Sequence, residues 1–401
     1  MTTGSIDSNS LGIVVFLALL SIFLFFGLFN FYFAWRFRPS QPVDPKPNPV
    51  PVVVIVPVRD DPSIFGSLPF LRGLDYPDYR VVIIDDSADP RFLENLTRQA
   101  DSKIEVDHRS VAKGRKAGAL NHGLESMSIN PPEYVVILDA DHRPPPDFLL
   151  RAVTLIEQTK ADCVCGYQKH DIGDDGFFGI FYRATSGYAF RNLKSQHDLG
   201  YGAFYAGAAS IFRYDWLRKM GFDETSVTED WELALRAYAQ GNARFVIRED
   251  LWVSAAVPWN LAWLLRQQVR WIQGLTRDFR RYARQILNSN LTSKAKLGMF
   301  YQGLIGLQGP TFLILWLVMP LLFPMQLPLL ATLGLLVFLG FSWGWPISQG
   351  ARFEGYGIRK IAMTLAFALL TVYVVAPLGT YAFFSGLFTT PSSWRVTRRR
   401  G

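Results

Sequence analysis

Apolar positions along this chain form two kinds of run. Short β-branched runs lie inside a stretch of mixed polarity, and long unbroken runs flank it. Leu11–Trp35 carries no charge and is long enough to cross a bilayer as a helix. The first ten residues carry no Lys or Arg and no small-residue cleavage site is evident. That pattern reads as an uncleaved anchor rather than a signal peptide. A proline-rich connector, residues 36–51, favours an extended, semi-rigid spacer. Val52–Val56, Arg80–Asp85 and Glu133–Asp139 then read as buried strands. Helical patterns separate them, at Pro90–Ala100 and Arg115–Met127. Strands alternating with helices predict an α/β domain with a parallel sheet over residues 52–290.

Apolar blocks return at Leu297–Phe323, Leu327–Ile347 and Ile361–Phe388, within a membrane region of about three apolar segments at 291–388. A short tail, residues 1–10, precedes the anchor at 11–35, and a basic tail, 389–401, closes the chain. Pro324, Pro328, Pro346 and Pro377 are candidate break points in the spans.

Composition and charge agree with this division. The chain has 401 residues, 49% hydrophobic and 19% charged, and the excess of apolar residues is concentrated in blocks. Arg36 and Arg38 follow the first span at once. The positive-inside rule therefore places the following domain in the cytoplasm, in a multi-pass protein of the cell membrane with the lipid bilayer as a partner. With one span per later block, the tail Arg398-Arg399-Arg400 falls on the opposite side, so one block is expected to be re-entrant, interfacial or split. The sequons at Asn95 and Asn290 are irrelevant in a cytoplasmic domain. The net charge of +7 suits a membrane surface, and no aromatic–basic motif for nucleic acid stands apart from it. The nearly charge-free spans argue against a transporter. Cys163 and Cys165 share one face of a strand at a spacing that fits neither zinc nor redox chemistry, and are expected to be buried thiols.

Candidate chemistry sits at the strand ends, where ligands bind in such sheets. Asp85-Asp86-Ser87 closes the second strand, and Asp139-Ala140-Asp141-His142 closes the third. Either could be a turn, since Asp bonds its own backbone there. Two clusters at equivalent ends of one sheet favour a site. Carboxylates at i and i+2 can share a hard cation, Mg²⁺ or Mn²⁺, whose other ligands are phosphate oxygens. Asp85 or Asp86 is placed to accept hydrogen bonds from a nucleoside. Thr228-Glu229-Asp230 reads first as an N-cap with acids in the first helical turn. Its functional reading makes Asp230 a general base for an acceptor hydroxyl. In Gln267-Gln268-Val269-Arg270-Trp271, Arg270 can bind a diphosphate and Trp271 can cover a sugar ring. The other arginines nearby, Arg266, Arg277, Arg280, Arg281 and Arg284, fit a basic helix on an anionic surface.

Taken together these motifs resemble the membrane-bound, processive-type glycosyltransferases of family 2, which include cellulose, chitin and hyaluronan synthases. The likeness spans Val52 to Gly274 and includes Lys116-Ala117-Gly118-Ala119-Leu120-Asn121. It implies a glycosyltransferase-A fold flanked by transmembrane helices, a nucleotide-sugar donor (a UDP-sugar foremost), a saccharide or lipid acceptor, and inversion at the anomeric carbon. By resemblance, Asp85 and Asp86 contact the nucleoside, and Lys116 and Asp139 the nucleotide and phosphate. Asp141 takes the metal, which His142 would complete, and Asp230 is the base. Gln267, Arg270 and Trp271 hold diphosphate and acceptor. Two segments depart from the family pattern. Pro57-Val58-Arg59-Asp60-Asp61 replaces its opening P-x-Y-N-E, and Phe204-Tyr205-Ala206-Gly207-Ala208 replaces its F-F-C-G-[ST] loop. The expected product is an extruded polysaccharide, with a glycolipid as the alternative and a non-catalytic scaffold as the remaining one.

Overall fold

The computed structural model describes residues 8–46, 49–173, 175–202, 204–241, 244–315, 337–338 and 340–389. Pro324, Pro328, the tail arginines and most of Leu327–Ile347 lie outside these residues. In chain order the domain runs α1 (Ser8–Arg36), β1 (Val52–Val58), α2 (Ser63–Arg72), β2 (Tyr79–Asp85), α3 (Pro90–Thr97), β3 (Ile104–His108) and α4 (Arg115–Ser126). It continues with β4 (Tyr134–Ile137), α5 (Phe148–Thr159), β5 (Cys163–Ile172), α6 (Phe177–Asp198), β6 (Ser210–Arg213), α7 (Tyr214–Met220), α8 (Glu229–Ala239), β7 (Phe245–Ala256) and α9 (Leu261–Asn288).

The strands form one sheet in the order β3-β2-β1-β4-β6-β5-β7. The period-two alternation of a strand sorts β1 onto two cores. Val53 and Ile55 pack with Leu120 and Leu124 of α4, while Val52, Val54 and Val56 pack with Leu68 of α2 and Leu149 of α5. The sheet is mixed, not wholly parallel as the alternating pattern suggested. β6 runs antiparallel to both β4 and β5. The physical reason lies in the loop before β6, whose Gly207 carbonyl meets Lys116 at the carboxyl ends of the other strands. The chain therefore enters β6 from that end. Cys163 and Cys165 are buried free thiols with sulfurs 3.5 Å apart, as their spacing predicts.

Beyond α9, the block Leu297–Phe323 is not one continuous span within its described part. It breaks into α10 (Ser293–Gly303), a 3-10 turn at Ile305–Leu307 and α11 (Gln308–Leu313). α12 (Trp345–Phe353) and α13 (Ile358–Phe388) follow. Among the described residues one helix is long and apolar enough to cross a membrane, near the amino terminus, or two if a pair bent by 55° within α13 counts as one span. Pro377 lies one turn past that break, where it has no N–H to donate to the helical carbonyl four residues back. The connector after α1 is pinned rather than free. Ser40 Oγ donates to Glu249 at 2.9 Å, Val43 N to Asp250 at 3.3 Å and Lys46 N to Thr154 Oγ1 at 3.0 Å.

Candidate active site

Three acidic residues meet at the carboxyl ends of β1 and β2. Asp85, the last residue of β2, is buried and turned inward. Its Oδ2 lies 2.7 Å from His108 Nδ1, and its Oδ1 accepts from Ser87 Oγ at 2.5 Å. Asp86 is clasped by Arg109, with Nε to Oδ1 at 2.7 Å and Nη2 to Oδ2 at 2.5 Å. Such a two-pronged guanidinium–carboxylate pair is strong and directional. Asp60 completes the group from the end of β1. Held at φ 47°, it accepts from Ala88 N at 3.1 Å and Asp89 N at 3.2 Å. Asp60, His108 and Arg109 were not among the residues singled out by sequence. The only signal for Asp60 was the acidic substitution in the family's opening segment.

The second cluster follows β4. Asp141 is buried and its Oδ2 accepts from Ala256 N at 2.8 Å, tying the loop to the end of β7. Asp139 is partly exposed, and Lys116 Nζ donates to its Oδ1 at 2.7 Å. Lys116 sits in the first turn of α4, which Gly114 at φ 74° and Arg115 at φ 57° lead into the site. The same ammonium donates to Gly207 O at 2.8 Å and lies 3.7 Å from Glu229. Burial works against its charge, but Asp139 and Glu229 outweigh it and hold its pKa above the usual value.

One donor atom from each of Asp139, Asp141 and His142 fits within 4.8 Å of the others. That spread suits a single cation sphere with oxygen and imidazole ligands. His142 is fully buried, and Nδ1 accepts from Asp139 N at 3.2 Å. Burial pushes its ring down to about 4 against the pull of Asp139, so it is neutral at pH 7, the form a metal needs.

Asp230 approaches the same centre from α8. Its carboxyl accepts from Trp231 N at 2.8 Å. Burial and the neighbouring charge of Glu229 push it up to about 7, against Lys116 and Arg270. A Cβ added to Gly207 would sit 3.1 Å from Asp230 Oδ2, so the glycine loop lies directly on this carboxyl. Thr228 occupies the N-cap position of α8, but its side chain makes no cap bond; Oγ1 donates instead to Asp278 at 3.0 Å. The capping reading is thus corrected: the position is right and the hydroxyl is committed elsewhere. Arg270 Nη1 donates to Val227 O at 2.8 Å, and its charge is felt by Glu229, Asp230 and Asp139. On the same helix α9 Gln267 is buried and Trp271 is partly buried. Lys116, Asp139, Glu229, Asp230 and Arg270 therefore share one electrostatic centre, while Asp85 is bonded to His108 and Ser87 and Asp86 to Arg109.

Residues 134–385 match the family described as glycosyl transferase family group 2. The chain belongs to that family, and its α/β fold is of the glycosyltransferase-A type. A glucomannan 4-beta-mannosyltransferase of Arabidopsis thaliana is 31% identical over 57% of this chain and 43% of its own length. A relative from Oryza sativa subsp. japonica named probable glucomannan 4-beta-mannosyltransferase 3 is 29% identical over 59% of this chain and 45% of its own. The chain thus spans about half the length of the curated relatives it matches. Among solved structures, a mannosyltransferase from Pyrobaculum calidifontis, in complex with GDP-Man and Mn²⁺, aligns with a TM-score of 0.61 at 19% identity. It covers 94% of this chain and 98% of its own, a likeness of fold.

Proposed function

We propose that this family member transfers a sugar from a nucleotide-sugar to an acceptor hydroxyl with inversion, using Asp230 as the base. The observation that carries the reading is the convergence of a carboxyl raised to about 7 with the Lys116–Asp139 pair and Arg270. A base poised near neutral pH removes the acceptor proton as the acceptor oxygen bonds to the anomeric carbon. The bond from that carbon to the diphosphate breaks in the same displacement, and the electron pair leaves with the nucleoside diphosphate. Arg270 and Lys116 place positive charge where that leaving group gains negative charge. Asp139, Asp141 and His142 would hold a divalent cation, which supplies further charge against the diphosphate. Asp85 and Asp86 would shape the nucleoside end, with Gln267 and Trp271 on the acceptor side.

The plant relatives support a mannosyl or related hexosyl donor and a polysaccharide product. α1 supports attachment to a membrane, with Arg36 and Arg38 at its exit favouring a cytoplasmic catalytic domain. The altered loop at Phe204–Ala208 favours the second reading, a glycolipid made by single transfer. Purified full-length protein in lipid vesicles, given radiolabelled GDP-mannose and then UDP-sugars with Mn²⁺ or Mg²⁺, should form labelled product. A polymer marks the first reading and a solvent-extractable lipid the second. Chelation should abolish transfer and added Mn²⁺ restore it. Formation of neither product with any common UDP- or GDP-sugar would refute the enzymatic reading.

A further inference from the structure

We propose that Asp278, on α9, is a positioning residue that fixes the Ser226–Thr228 segment and thereby aims the Asp230 carboxyl; this rests on the glycosyl-transfer reading above. Asp278 is fully buried, and its Oδ2 accepts from Ser226 Oγ at 2.6 Å and from Thr228 Oγ1 at 3.0 Å. Thr228 N donates in turn to Ser226 Oγ at 3.0 Å, which closes a ring of polar contacts. Oδ1 of Asp278 is buried with no hydrogen-bond partner among the described residues. Burial pushes this carboxyl up to about 6, against the two hydroxyl donors. A half-satisfied buried carboxylate costs stability, and an apolar residue would fill the same space more cheaply. Thr228 bears a second cost. Its hydroxyl could cap α8, yet it faces Asp278 instead.

What both costs achieve is a fixed approach to the base. The two residues after Thr228 are Glu229 and Asp230. α9 grips the preceding segment at alternate positions by different chemistry. Arg277 Nη1 takes Thr225 O at 2.7 Å and Arg270 Nη1 takes Val227 O at 2.8 Å, while Asp278 takes the hydroxyls of 226 and 228. The helix lies so close that a Cβ at Gly274 would collide with the Thr228 side chain. Trp231 Nε1 then donates to Leu275 O at 3.2 Å beyond the base. Asp230 is therefore held on both sides by one helix, and the arginine that faces the leaving group belongs to that helix.

The test compares full-length Asp278→Leu, Asp278→Asn and the double variant Ser226→Ala/Thr228→Val for kcat, donor KM and melting temperature. Leucine removes the acceptor and should lower kcat about 10²-fold with donor KM within about twofold, as displaced catalytic groups do. Asparagine keeps an acceptor oxygen and should stay within about threefold of the parent. The double variant should match the leucine loss, and adding leucine to it should cost little more, because both remove one interaction. A parental kcat in the leucine variant, or equal loss with asparagine, overturns the proposal. If the leucine variant does not fold, a parental kcat in the double variant overturns it. If the parent itself turns over no nucleotide-sugar, the glycosyl-transfer reading has failed instead. The latch is then read by hydrogen exchange over residues 226–231: faster exchange in the double variant supports it, and unchanged exchange overturns it.

Discussion

Asp86 and Asp230 are both enclosed carboxyls at the carboxyl edge of one sheet, and they are treated in opposite ways. Asp86 has an arginine of its own, gripped at both oxygens. The hydrogen bond of Asp230 comes from the adjacent backbone, and its nearest acid, Glu229, pushes its pKa upward. The first arrangement ties the loop after β2 to the loop after β3. The second leaves a carboxyl that can exchange a proton near neutral pH. Lying at the carboxyl edge of a sheet does not by itself set how an acid holds its proton; the charge of its neighbours does.

Replacing each partner tests that contrast. Asp230→Asn should lower kcat about 10³-fold, the scale of a lost general base, with little change in donor KM. The same variant should melt at a higher temperature at pH 8. The sign follows from linkage: a carboxyl near 7 when folded and about 4 when unfolded loses stability as pH rises through that window, and asparagine removes the loss. A lower melting temperature would contradict the account of its raised pKa. Arg109→Met works in reverse. It strands Asp86 buried and charged, and should cost about 3 kcal/mol in denaturant unfolding while kcat per folded molecule changes less than in Asp230→Asn. Equal stability to the parent would show that the pair contributes nothing.

A smaller effect separates Glu229 from Asp230. The low-pH limb of kcat should fall as pH drops below about 7, because protonated Asp230 cannot act as a base. Glu229→Gln removes the like charge and should move that limb to lower pH by about one unit. A limb that stays in place assigns the titration to another group.

The sequence carried the parallel half of the sheet because β1, β2 and β4 are continuous β-branched runs buried on both faces. β3, Ile-Glu-Val-Asp-His, is short, at the sheet edge and half polar, so its pattern is weak. Missing it hid His108 and the inward turn of Asp85. β6 was illegible for a different reason: Ser-Ile-Phe-Arg is too short to show a period, and a strand pattern does not carry its direction. Asp139, Asp141 and Asp230 stood out in the sequence because the first two follow the end of β4 and the third lies in the first turn of α8. Asp278 was not, because its partners lie about fifty residues away and it stands in a helix dominated by arginines. The membrane region was legible as apolar blocks, and the break within α13 lies one turn before Pro377, a candidate break point, whereas the break after Gly303 has no proline to mark it.

The last contrast concerns the loop that lies on Asp230. Gly207 holds φ 84°, where a side chain is strained, and its carbonyl accepts from both Lys116 Nζ at 2.8 Å and Tyr205 Oη at 2.5 Å. Gly207→Ala therefore carries two separable consequences. The backbone strain costs about 1 kcal/mol of stability wherever the loop goes. The added methyl, 3.1 Å from Asp230 Oδ2, is tighter than an ordinary contact and must move the loop or the base by a few tenths of an ångström. Movement of the loop withdraws the carbonyl from Lys116, so the ammonium is left to Asp139 and Glu229. Movement of the base turns Asp230 out of line while the diphosphate contacts stay. The first raises donor KM and the second lowers kcat, each by about fivefold if the displacement costs about 1 kcal/mol. Parental values of both would mean that the loop does not bear on the base at all.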